Sequence, residues 1–125
     1  MADVPLKKTK HLIRRRWRDY RTAMGRRPVK EFVDTLNDVD AAAVAGAMKE
    51  VREEGLVAAR HLRGDIYEVR ADGNRQIFRI LFAEEGKHGH VLLSLTGFNK
   101  KTQKTPPDQI NLAERRLREW RSRRT

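Results

Sequence analysis

Three short segments of alternating character, RGDIYEVRADG (63–73), RQIFRILFAEE (75–85) and HVLLSLTGFNKK (90–101), stand in a row between turn signals. A period of two places successive side chains on opposite faces, so each segment reads as a half-buried strand. In the first, Tyr67 and Val69 share one face while Glu68 and Arg70 share the other. In the second, Phe78, Ile80 and Phe82 oppose Arg75, Ile77, Arg79 and Leu81. In the third, Val91, Leu93 and Leu95 alternate with Ser94, Thr96, Phe98 and Lys100. Ala71–Asn74 has the residues of a tight hairpin turn, and Glu85–Gly89 reads as a second turn. The expected result is an antiparallel meander with an apolar face for helices and an open face carrying Arg70, Arg79, Phe98 and Lys100.

Helical signals flank the meander. Pro28 suits a first helical position, and Val29, Phe32, Val33 and Leu36 follow at i, i+3, i+4 and i+7. Asn37 and Asp38 can cap a second helix with the stripe Ala43, Val44, Ala47, Met48 and Val51, and Gly55 is its expected stop. Trp17–Thr22 alternates well enough for a first strand, and Gly25–Arg27 reads as a turn. A last helix begins after Thr105, Pro106 and Pro107, with Asp108 at its positive end. Ile110, Ala113, Leu117 and Trp120 form its buried stripe, with Arg115, Arg116, Arg118, Arg121, Arg123 and Arg124 expected outside it or trailing off its end. The fold class expected is α/β in the α+β sense: one domain with a small antiparallel sheet, helices on one face and a C-terminal helix. Residues 1–16 form a basic arm and 17–125 the folded domain.

Composition narrows the function classes. Hydrophobic residues make up 38% of the 125 and charged residues 36%, so the core is thin. With no cysteine there is no disulfide framework or thiolate metal site, and a reducing cytoplasm is the expected setting. No apolar run reaches the length of a membrane span, and no secretory signal is expected. The formal charge of +11 favours polyanions, so nucleic acid, an anionic membrane surface and an acidic protein compete as partners.

The cationic face carries the chemistry. A guanidinium fixed on a strand matches a phosphate with its planar fork. Arg70 and Arg79 with a nearby lysine can neutralise the charge that grows on phosphorus during transfer. Phe98 can stack on a base. Glu68 can either pair with the arginines or accept a proton. His88 and His90 lie in a glycine-containing turn with no neighbouring ligand cluster and read as solvated. No metal or cofactor motif is present, and no cofactor is expected.

The order LRGDIYEVR, FRILF, GFNKKTQKTP and INLAERRLREW, with GRRPVKEFVDTL upstream, resembles the phage-derived HigB-like toxins of the RelE/ParE superfamily over roughly residues 17–122. The resemblance implies a type II toxin: a ribosome-dependent messenger-RNA endoribonuclease, metal-independent, held by a cognate antitoxin of helix-turn-helix type. The alternative is a non-enzymatic binder of nucleic acid or, like ParE members, a DNA gyrase poison. The resemblance implies catalytic roles for Arg70 and Arg79, with Glu68 beside them. It implies RNA binding by Lys100 and Lys101, and Arg63, Arg75, Phe98 and Lys104 are expected to join them. Phe98 stands where RelE-type members can carry a catalytic tyrosine. The expected partners are antitoxin, ribosome and messenger RNA, with no membrane involved.

Overall fold

A computed structural model describes residues 14–100 and 104–124. In chain order it contains β1 (Arg16–Asp19), α1 (Pro28–Asp34), α2 (Asp38–Glu54), a 3-10 turn (Gly55–Ala58), β2 (Arg60–Arg63), β3 (Ile66–Asp72), β4 (Ile77–Glu85), a second 3-10 turn (Lys87–Gly89), β5 (Val91–Lys100) and α3 (Pro107–Arg124). The strands form one sheet in the order β1-β5-β4-β3-β2. The meander β3-β4-β5 is antiparallel as the alternation predicts, whereas β1 joins β5 in parallel with Trp17 opposite Leu92. Arg16 is therefore the first residue of a sheet strand, and residues 1–13 of the basic arm lie outside those described. No described helix is long and apolar enough to cross a membrane.

The helices begin and end where their terminal residues dictate. Asn37 accepts a hydrogen bond from the Asp40 N–H at 2.8 Å, and Asp38 and Asp40 sit at the positive end of α2. Gly55 closes α2 with φ of +82°, a left-handed conformation that side chains disfavour. Helices α1 and α2 cover one sheet face, burying Val29, Val44 and Val51 against Val69, Phe78, Ile80, Phe82 and Leu92. The close seat of α1 depends on Gly97, where a Cβ would lie 2.7 Å from the Phe32 ring and 2.9 Å from Ile80.

Helix α3 covers part of the opposite face, which the sequence pattern would leave open. Ala113, Leu117 and Trp120 bury against Tyr20, Ile66, Leu81, Ala83, Leu93 and Leu95, with Ile110 and Phe98 at the margin. Leu93 and Leu95 thus face the same side as Thr96 and Phe98, not the opposite side as strict alternation requires. A bulge is the cause: Leu81 pairs with Thr96 and Phe82 with Ser94, so Leu95 is an extra residue that shifts the phase of β5. Arg116 donates from Nη1 to the Leu95 carbonyl at 2.8 Å, satisfying a backbone acceptor at the irregularity. Burial holds the Arg116 guanidinium below its ordinary pKa.

Several α3 arginines are likewise structural rather than free. Arg123 lies 5.5 Å from the Tyr20 ring centroid and 5.9 Å from that of Trp120. Tyr20 donates to Glu119 at 2.8 Å, and burial first, then that acceptor, raises its pKa. Arg121 bridges Asp65 and Glu85 at 2.8 and 2.7 Å.

Candidate functional site

The register sets the arginines in rows. On the α3-bearing face one row runs Arg60, Glu68, Leu81, Thr96, and the next runs Arg70, Arg79, Phe98. A third row places Asp72, Ile77 and Lys100 side by side in the backbone. Helix α3 reaches the first row, where Thr96 donates to Gln109 at 2.5 Å. The second row lies at the edge of that cover.

The two rows meet in a buried polar cluster. Arg79 donates from Nη1 to Glu68 Oε1 at 2.5 Å, with both side chains almost wholly buried. The Thr105 hydroxyl, also buried, donates to Glu68 Oε2. Each oxygen of the Glu68 carboxylate is thus engaged, one by β4 and one by the residue that leads into α3. The arrangement fixes Arg79 and anchors the start of α3 through one carboxylate. Arg79 is a buried side chain, contrary to the open cationic face that alternation suggests. The carboxylate across the strand lets the guanidinium lie there, because a buried charge requires a partner.

Arg70 is exposed beside it and makes a 3.3 Å contact with Asp72 at the surface. Glu68 therefore orders Arg79 and not Arg70. Arg70, Arg79, Glu68 and Arg60 line a cleft of about 410 Å³ whose other wall is Glu50, Val57, Ala58 and Ala59. That volume falls within the range of small-ligand sites, roughly 300–1,000 Å³. A larger depression of about 670 Å³ runs along β1, lined by Trp17, Arg18, Asp19, Arg21, Arg27 and Met48. There Arg27 is held by Asp19 at 2.6 Å and Trp17 by the Met48 carbonyl at 2.7 Å. Arg70, Arg79 and Glu68 meet in the smaller cleft, which is the candidate site.

The remaining predicted RNA-binding residues scatter. Arg63 turns to α3, donating to Asn111 and to Glu114 at 2.7 Å each, and its bond holds the Glu114 carboxyl below the ordinary value. Arg75 is exposed in the β3–β4 turn, and Lys104 is exposed just before α3. Phe98 is half-buried against the cluster beneath α3, so its ring packs as core margin. Lys100 closes β5, while Lys101 lies outside the described residues. Sequence reasoning missed Arg60, because the four-residue β2 hides inside what reads as a loop; the Gly64-Asp65 pair was its hairpin signal. The 3-10 turn was also missed, and Thr105 was expected only as a helix cap.

His88 and His90 face each other with ring centroids 5.8 Å apart on the second 3-10 turn, where His88 adopts φ of +61°. Among the described residues no three His, Asp or Glu side chains gather in a group that could hold a metal.

A model of the family described as "Phage derived protein Gp49-like (DUF891)" matches residues 31–118, more than two-thirds of the sequence. The chain belongs to the phage-derived Gp49-like family. Its relatives include "Probable endoribonuclease HigB1" of Mycobacterium tuberculosis, from strains CDC 1551 / Oshkosh and ATCC 25618 / H37Rv. Each is 37% identical over 109 residues that cover 84% of either chain. The Gp49-like match runs from the middle of α1 through most of α3 and so includes every residue of the arginine cleft.

Proposed function

We propose that this Gp49-like chain is the toxin of a type II toxin–antitoxin pair and cuts messenger RNA on the ribosome. The observation that carries the reading is the cleft in which Arg70 stands exposed beside the Arg79–Glu68 pair. The similarity to a probable endoribonuclease supports it. In the proposed reaction the RNA 2′-OH attacks the adjacent phosphorus and the 5′-oxygen leaves, giving a 2′,3′-cyclic phosphate without a metal. One proton leaves the 2′-OH and one reaches the departing oxygen. Arg70 meets the phosphate directly, and Arg79, held by Glu68, supplies fixed positive charge from the floor. Lys100 and Lys101 bind the flanking backbone. Both Glu68 oxygens already accept hydrogen bonds, which supports a positioning role for it over proton transfer. A cognate antitoxin of helix-turn-helix type restrains the toxin in the cytoplasm.

The test uses programmed ribosomes and a transcript with a mapped cut. A single 2′-deoxy nucleotide at that position should abolish cleavage, and Arg70→Ala should lower kcat by about 10²-fold or more without unfolding the protein. Cleavage that survives the 2′-deoxy substitution overturns the mechanism. Intact transcripts with DNA damage in expressing cells would favour the gyrase-poison alternative.

A further inference from the structure

We propose that Arg60 and the 3-10 turn Gly55–Ala58 form a single-stranded RNA subsite, in which Arg60 binds a phosphate and Val57, Ala58 and Ala59 face the attached base. The inference deepens the nuclease reading by assigning the substrate contacts on the cleft's outer wall. Among the cleft's cations, Arg79 is ion-paired with Glu68 and Arg70 touches Asp72. The Arg60 guanidinium makes no hydrogen bond or ion pair among the described residues, and the residue is exposed. On the short edge strand β2 it stands opposite Glu68, in the same row as that carboxylate. A charge held at a cleft mouth by a strand, with no internal partner, suits an external anion.

The cleft residues that lead into Arg60 are apolar. Val57 is 84% exposed, one of three large hydrophobic side chains left in solvent among the described residues, and it borders the cleft with Ala58 and Ala59. An apolar shelf beside a guanidinium matches the two halves of a nucleotide, a base and a phosphate. Glu50 adds one carboxylate at the rim, so the wall is not uniformly cationic and the phosphate register falls toward Arg60 and Arg70. An acidic protein segment would satisfy Arg60 but leave Val57 without a reason to be exposed here.

The probe is a fluorescein-labelled single-stranded RNA, fully 2′-O-methylated so that it cannot be cut, titrated against the full chain over a salt series. Arg60→Ala should weaken binding about tenfold and reduce the slope of log affinity against log salt by about 0.7, the value for one lost phosphate contact. Arg60→Lys should keep the slope while losing part of the affinity. Val57→Ser should weaken the normal probe severalfold yet leave an abasic probe unaffected, with the salt slope unchanged. An unchanged slope in Arg60→Ala, at an unchanged melting temperature, overturns the inference. So does loss of antitoxin binding with RNA binding intact, which would assign the wall to a protein partner. Binding uses no cleavage, so the subsite stands if the probe behaves as stated and no RNA is ever cut. The nuclease reading stands if cutting persists and Arg60 proves irrelevant.

Discussion

At the scale of single residues, Glu68 and Arg79 determine how any mutational test must be read. Arg79→Ala leaves a buried carboxylate with only the Thr105 hydroxyl, and breaking a buried pair from one side costs about 3–5 kcal/mol. Urea denaturation should find that loss, whereas Arg70→Ala should lie within about 0.5 kcal/mol of the parent. A cost below about 1 kcal/mol for Arg79→Ala would contradict the buried pairing. An inactive Arg79→Ala therefore reports stability before chemistry, and the exposed Arg70 is the cleaner probe of the reaction. The sequence made both arginines visible, since period two puts Arg70 and Arg79 on one face. It could not show that one is buried, because the reason lies in Glu68 reaching diagonally across strands and in Thr105, ahead of α3, closing on the same carboxylate.

At the scale of elements, the seat of α3 on β5 is stabilised by Arg116. Substituting methionine preserves the aliphatic stem but removes the donor to the Leu95 carbonyl, and should cost about 1–3 kcal/mol by urea unfolding. The link between Arg63 and Glu114 joins β2 to α3 and depends on acidity. The Arg63 hydrogen bond depresses the folded Glu114 pKa, so its stabilisation is present above the ordinary carboxyl value of 4.5 and lost as pH falls through the lower folded value. The pair is solvated, so Arg63→Gln should lower stability only slightly. It should also flatten the stability curve below pH 4.5. The Asn37 cap and Gly55 stop of α2, the β3–β4 turn and the α3 stripe were legible because each is encoded within a few neighbouring residues. The parallel seat of β1 was not, since its partner lies more than seventy positions away in sequence. Nor was the bulge, because Leu93-Ser94-Leu95-Thr96 continues to look like an unbroken alternation.

At the scale of the whole molecule, the +11 surplus overstates the charge that faces a partner. Arg26, Arg27, Arg63, Arg79, Arg121 and Arg123 all meet carboxylates within the fold. Arg15 donates to the Arg52 carbonyl at the end of α2, so an arm deletion meant to spare the fold should stop before Arg14. Removing residues 1–13, which carry Lys7, Lys8 and Lys10, should lower the salt slope for the RNA probe by up to about 2, at 0.7 per lysine contact. Cleavage positions should stay the same, because backbone contacts carry affinity and not sequence. A slope unaffected by the deletion would remove the arm from the RNA-binding surface.

The bulge at Leu95 gives β5 two reading frames in space, one ahead of it and one behind. A point substitution at Leu95 alters a side chain; loss of its codon removes the bulge itself. Without Leu95 the ladder is regular: Ser94 still opposes Phe82 and Thr96 still opposes Leu81, so Thr96 and Phe98 keep the α3-bearing face while the cluster beneath α3 loses one buried leucine. A homologue aligned with a one-residue gap at Leu95 therefore describes a β5 without the bulge and the same row of Arg70, Arg79 and Phe98.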